Sequence, residues 1–299
     1  MDRRTFLHTA ALAATLSTLT PRPAAAATPT GPKVCVFSKH LQFLDIPTLA
    51  ATARDLGMDG LDLTVRKGGH VLPENVATDL PKAVETIRAQ NIEVSMITTS
   101  LNDGSDPDAR PILEAAGKAG IPYARIGGQQ YPPKGDIIPY LDKCTEEVRT
   151  LTKIAEECNV TLGYHNHSGR GNVGATLWDL YRMYETIGSK SLGSNFDLGH
   201  ACVEGTYGGW QTTGRLLAPH TKMMAAKDFV WDRDKPKWVP LGEGIVPFVP
   251  LLKYFRAADF AGPISLHFEY DVPSNDAMLE EIRKAIATLR GYIRDAGFN

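Results

Sequence analysis

The chain has 299 residues, 43% apolar and 22% charged, with a formal net charge of -2. Such a composition excludes a disordered, collagen-like or coiled-coil chain. The near-neutral balance gives no basic field for nucleic acid or an anionic membrane, and Cys 4 is too few for a disulfide scaffold.

In chain order, Met1-Asp2-Arg3-Arg4-Thr5-Phe6-Leu7 resembles a twin-arginine export signal. A mildly apolar stretch from Thr9 to Thr20 follows, too short and too diluted by Thr and Ser to span a bilayer. Ala24 to Ala27 then offer a small-residue cleavage site. The expectation is a signal peptide over residues 1–27 and one folded domain over 28–299. That predicts a periplasmic protein with the twin-arginine machinery as a partner and no stable membrane insertion.

Beyond the leader, short apolar runs alternate with helical patterns. Strands are predicted at Val34–Phe37, Leu61–Val65, Val94–Thr98, Tyr123–Ile126, Thr161–Tyr164, Leu192–Phe196, Lys222–Ala226 and Ile264–Phe268. Helices are predicted at Pro47–Leu56, Pro81–Gln90, Pro107–Ala119, Pro139–Cys158, Leu177–Ile187, Trp210–Leu217, Pro247–Ala258 and Asp276–Arg294. The strand–helix alternation points to an α/β fold, a single-domain (β/α)8 TIM barrel. The rival doubly wound sheet wants a glycine-rich turn after the first strand, and here that turn is Ser38-Lys39-His40-Leu41. Cys144 and Cys158 fall on one helix, about 21 Å apart along its axis, and Cys35 and Cys202 on separate elements, so no disulfide is expected.

In such a barrel the site forms where strands end and βα-loops begin. His40, His70, His165, His167, His200 and His267 all fall at or after strand ends, whereas His220 precedes a strand. His165 and His167 share a strand face, as do His267 and Glu269. His165, Asp197 and His267 can therefore converge inside the mouth as a site for Mn, Fe, Co or Zn. A metal-free polar pocket would use the same residues. Lys227 would hold a substrate oxygen or an enolate, or else form a rim ion pair with Asp228. Glu243, in Leu241-Gly242-Glu243-Gly244, either touches substrate or fixes its turn. Arg66 and His70 reach over the mouth, and His40 and His200 join them as substrate contacts. Trp210, Trp231 and Trp238 lie on loops of the same side, where exposed indoles favour sugar rings; Trp231 is taken as the substrate contact.

Taken together, these motifs resemble the xylose isomerase-like barrel superfamily of sugar isomerases, epimerases and dehydratases. Asn195-Phe196-Asp197-Leu198-Gly199-His200 is similar to its strand-six metal motif. Lys227-Asp228 is similar to the end of its strand-seven motif, and Leu241-Gly242-Glu243-Gly244 to the loop that follows. The resemblance implies a ligand set of Glu, Asp, His and Glu on strands five to eight. Those positions are His165, Asp197, Ala225 and His267 here. Alanine cannot bind a metal, and both proton-shuttling glutamates are histidines, so the resemblance implies at most three ligands and another base. Glu269 is the candidate, with His167 and Lys227 as alternates.

The expected activity is proton abstraction next to the carbonyl of an unphosphorylated keto sugar, giving isomerisation or epimerisation. Elimination from a 3-keto glycoside or inosose is the alternative, and a non-catalytic periplasmic sugar-binding protein the reading from another class. The expected partner is a small-molecule sugar and not nucleic acid. Homo-oligomerisation stays open.

Overall fold

The structure is a computed structural model that describes residues 31–298. The predicted leader and its cleavage boundary lie outside the described residues. Strands β1 (Val34–Phe37), β2 (Gly60–Thr64), β3 (Glu93–Thr98), β4 (Tyr123–Ile126), β5 (Thr161–His165), β6 (Leu192–Asp197) and β7 (Thr221–Ala226) are each followed by helical crossovers. An antiparallel hairpin, β8 (Asp228–Asp232) and β9 (Lys235–Val239), interrupts the pattern before β10 (Ile264–Leu266). β1 to β7 and β10 form a closed parallel barrel in the order β1-β10-β7-β6-β5-β4-β3-β2.

The main helices are α1 (Ile46–Asp55), α2 (Val76–Arg88), α3 (Ala109–Lys118), α4 (Ile137–Glu157), α5 (Trp178–Ile187), α6 (Leu198–Glu204), α7 (Gly209–Leu217), α8 (Phe248–Ala257) and α9 (Asn275–Asp295). Each lays an apolar stripe on the barrel. In α9 the buried residues are Ile282, Ala285, Ile286, Leu289 and Ile293, the spacing that predicted the helix. Because helices cover the sheet outside and side chains fill it inside, strands such as Val34–Phe37 are buried at every position. Among the described residues, no helix is long and apolar enough to cross a membrane. The cysteines are free, as expected.

Three elements depart from the sequence reading. Helix α2 begins at Val76 and carries Pro81 inside it. The buried stripe of Val76, Leu80, Ala83, Val84 and Ile87 runs through the proline, so packing outweighs one lost backbone bond. Helix α6 is an extra helix between the strand predicted at Leu192–Phe196 and the helix predicted at Trp210–Leu217, where Asp197 Oδ1 accepts the His200 N–H at 2.8 Å and caps its first turn. The β8–β9 hairpin was not expected at all. Its turn places Arg233 at φ 58, left-handed for a non-glycine residue and absent from ordinary turn signatures.

Candidate active site and metal centre

Alternation along the barrel strands sends apolar side chains outward and a polar set inward. Asp62 on β2 accepts hydrogen bonds from Thr98 Oγ1 on β3 (2.6 Å) and Ser265 Oγ on β10 (2.9 Å), across β1 from it. Burial pushes its carboxyl up to about 6, despite those two hydroxyls. His165, at the end of β5, and His267, just past β10, are stacked with ring centroids 5.6 Å apart. His165 Nε2 lies 3.6 Å from Asp197 Oδ2 at the end of β6.

His165, Asp197 and His267 are buried, and one donor atom from each lies within 4.8 Å of the others. Both nitrogens of His165, Asp197 Oδ2 and His267 Nε2 are buried with no hydrogen-bond partner among the described residues. Donor atoms bound at about 2.0–2.2 Å to one ion lie about 3–4 Å apart, so these atoms, without hydrogen bonds and with only the Lys227 ammonium 3.2 Å from Asp197 Oδ2, fit a divalent metal. Burial, reinforced by the Arg125 charge, holds His165 and His267 well below the ordinary imidazole range, in the neutral form that ligates. Ala225, buried on β7, offers no fourth ligand.

A second group, His165, His167 and His200, is equally compact. His200, however, has both nitrogens engaged. Its Nδ1 meets Ser168 Oγ at 2.8 Å and its Nε2 meets Lys227 Nζ at 2.7 Å. An ammonium only donates, so Nε2 accepts and Nδ1–H donates to Ser168. Burial and then the Lys227 charge depress its pKa to about 2. His200, expected from sequence as a substrate contact, here holds Lys227.

Lys227 lies between β7 and β8, and its side chain is 2% exposed. Its Nζ donates to Glu269 Oε1 at 2.6 Å and lies 3.2 Å from Asp197 Oδ2 and 4.6 Å from the Trp238 ring centroid. The alternative of a rim pair with Asp228 is excluded. Asp228 instead accepts backbone N–H groups from Phe229, Gly242, Gly244 and Val246 at 2.9–3.1 Å. It thereby fixes the loop predicted from Leu241-Gly242-Glu243-Gly244. A Cβ at Gly244 would come within 2.1 Å of its Oδ1, which explains the glycine. Burial pushes the Glu269 carboxyl up, but the Lys227 charge and hydrogen bond outweigh it and hold the group below its ordinary value. His167, half-buried, packs edge-on to His165 at 4.5 Å, and burial lowers its pKa to about 4. It is a neutral imidazole at pH 7.

The remaining expected contacts divide. His40 accepts the Phe268 N–H at 3.1 Å through Nε2 and packs on Phe37 and Phe268. His70 is held through Nδ1 by the hydroxyls of Thr64 and Ser38, each at 3.1 Å. Arg66 sits over the Phe37 ring at 5.3 Å, and His267 stacks on the same ring. Glu243 is exposed and its charge bears on Tyr270 and Lys284 rather than on the three buried donors. Trp231 is 38% exposed on the hairpin, and Trp238 is the indole at the site, edge-on to His200 at 5.0 Å. The cross-strand pair Phe229–Trp238 turns Trp238 inward, a consequence of a hairpin invisible in the sequence pattern. Sequence reasoning also missed Asp62 and Arg125. A lone charge inside the apolar strands Gly60–Thr64 and Tyr123–Ile126 was the available signal.

The fold agrees with comparison to known proteins. A family model described as xylose isomerase-like TIM barrel matches residues 50–291. The chain belongs to this family. Among curated proteins none matches the sequence. Several solved structures share the fold at low identity. A xylose isomerase-like TIM barrel protein from Mycobacterium smegmatis, in complex with magnesium, is 16% identical, with TM-score 0.67 over 88% of this chain and 98% of that one. The IolI protein, solved with a bound zinc atom, is 15% identical, with TM-score 0.71 over 87% and 98%. The 3-keto-D-glucoside 4-epimerase from E. coli is 13% identical, with TM-score 0.68 over 87% and 99%. Within this family fold, the present chain carries histidine, aspartate and histidine as its buried donor set.

Proposed function

We propose that this protein is a sugar isomerase or epimerase acting on an unphosphorylated keto sugar by proton abstraction beside the carbonyl. One observation carries the reading: a lysine–carboxylate pair, Lys227 and Glu269, lies beside three buried metal-donor residues, His165, Asp197 and His267, in the barrel mouth. His165, Asp197 and His267 would hold a divalent ion, which supplies Lewis-acid polarisation of a substrate oxygen. Lys227 donates a hydrogen bond to the oxygen on which enolate charge develops, where water is largely excluded. Glu269 accepts the carbon-bound proton once Lys227 turns toward substrate, and His167, neutral at pH 7, is the alternate base. His200 and Trp238 position Lys227 from two sides.

A second reading, elimination from a 3-keto glycoside or inosose, is favoured by His165 and His267 standing where the family's ligand pattern has its paired glutamates, which leaves Glu269 as a single carboxylate base paired with Lys227. One base and one acid are enough for β-elimination. Both readings predict deuterium exchange in heavy water with a panel of ketoses and 3-keto glucosides, followed by NMR, and loss of exchange in Glu269→Gln and Lys227→Met. Product spectra separate isomer from eliminated sugar. Sugar binding without exchange would instead establish a non-catalytic binding protein. We also propose export to the periplasm, supported by the paired arginines, the apolar stretch and the alanine-rich segment before residue 28. Fractionation of the tagged full chain tests this; a cytoplasmic protein that retains Met1 would overturn it.

A further inference from the structure

The barrel mouth contains a guanidinium that neither the donor set nor the proton-transfer residues use. Arg125 is the third residue of β4 and lies in register between Thr98 of β3 and Gly163 of β5. Among the described residues its side chain makes no ion pair and no hydrogen bond, and its Nη1 is sealed from solvent without a partner. The carboxylate whose charge bears most on it, Asp62, is occupied by the Thr98 and Ser265 hydroxyls. Arg125 Cζ lies 5.4 Å from the centroid of the Phe37 ring, and Arg66 Cζ lies 5.3 Å from the same centroid. His267 stacks on that ring at 4.9 Å. One phenyl ring thus gathers two guanidinium groups beside a member of the candidate metal set. Arg66 also has no ion pair among the described residues.

A buried guanidinium donor with no acceptor is costly, and the cost is relieved when an anion arrives. The planar fork of arginine matches the two oxygens of a carboxylate. We infer that Arg125 and Arg66 form a carboxylate-binding subsite, and that the substrate is a sugar acid. The inference rests on the reading of this mouth as a sugar site and adds the substrate's charge to it. A phosphate ester is the other anion that fits such a fork. Asp62, Asp197 and Glu269 all bear on Arg125 electrostatically, and they repel a dianion more than a monoanion.

The test is calorimetric titration of the full folded chain with D-glucuronate, D-glucose and D-glucose 6-phosphate. The wild type should bind glucuronate at least about tenfold more tightly than glucose. Arg125→Gln should erase that preference and leave glucose affinity in place, Arg125→Lys should keep part of it, and Arg66→Gln should reduce it. Arg66 lies past the end of β2, so its variant carries the test if Arg125→Gln does not fold. Equal affinity for glucuronate and glucose, no measurable glucuronate binding, a preference that survives both glutamine variants, or tighter binding of the 6-phosphate would each overturn the subsite. These titrations need no turnover. Arginine-dependent glucuronate binding without deuterium exchange would remove the enzyme reading and leave the subsite standing. Deuterium exchange into keto sugars, with glucuronate bound equally well by the wild type and both glutamine variants, would do the reverse.

Discussion

Replacing Lys227 with methionine removes the central charge of the site while keeping most of the stem's volume. The ammonium it removes touches Glu269, His200 and Asp197 at 2.6, 2.7 and 3.2 Å. Asp197, whose side chain is 0% exposed, becomes a buried anion without its cation, a loss of about 3–5 kcal/mol. The Glu269 side chain is 34% exposed, so water screens part of its charge and it adds less. At about 2 °C per kcal/mol for a chain of this size, Tm should fall by about 6–10 °C at pH 7 in metal-free buffer. The effect should also depend on pH in one direction. Glu269 is held below its ordinary value of 4.5, so its contribution is present above that value and lost as pH falls through the folded-state value. The variant lacks the contribution. The difference in Tm between wild type and variant should therefore hold from pH 7 to about pH 4.5 and shrink as pH falls below it. Scanning calorimetry across that range is the measurement. A constant difference would refute the reasoning, because the loss would then come from packing and not from charge.

Alanine at His165, Asp197 or His267 should weaken Zn2+ binding, measured by competition with a chromogenic chelator, by more than the about 10–100-fold typical of a residue that only supports a ligand. His200→Ala should stay within that smaller range, because both His200 nitrogens already have partners; the opposite ranking would move the metal to the three-histidine group. His165, His200 and His267 are held neutral by burial, so stability is fully present above the ordinary value of 6.5 and declines as pH falls below it. Urea midpoints between pH 7.5 and 5 should show this, and His200→Gln should flatten the slope by up to about one proton. Asp228→Ala leaves four backbone N–H groups without their acceptor and should cost about 3 kcal/mol, with faster proteolysis at 240–246 and unchanged Zn2+ binding.

The barrel was legible because its signals are local. The run Val34–Phe37 and the spacing in α9 each report on a few neighbouring residues, and both matched the fold. The histidines were legible for the same reason: a residue at a strand's end in this fold faces the mouth whatever else the chain does. His165, Asp197 and His267 could be placed together from position alone. Their partners could not. His200 turned from substrate contact to support for Lys227, and Lys227 chose Glu269 over its neighbour Asp228. Trp238 displaced Trp231 because an unforeseen hairpin set its facing. Asp62 and Arg125 stood in view as lone charges in apolar strands, but their meaning depends on side chains from three or more strands.

Sequence alone therefore determined the barrel, the face that gathers the histidines and the donor types at the strand ends, since these follow from backbone periodicity and residue identity. Only the closed barrel decided which donors are paired, which are left bare and which carboxylate holds the lysine. Closure brings strands distant in sequence to within hydrogen-bond range and removes the water that would otherwise satisfy every polar group alike.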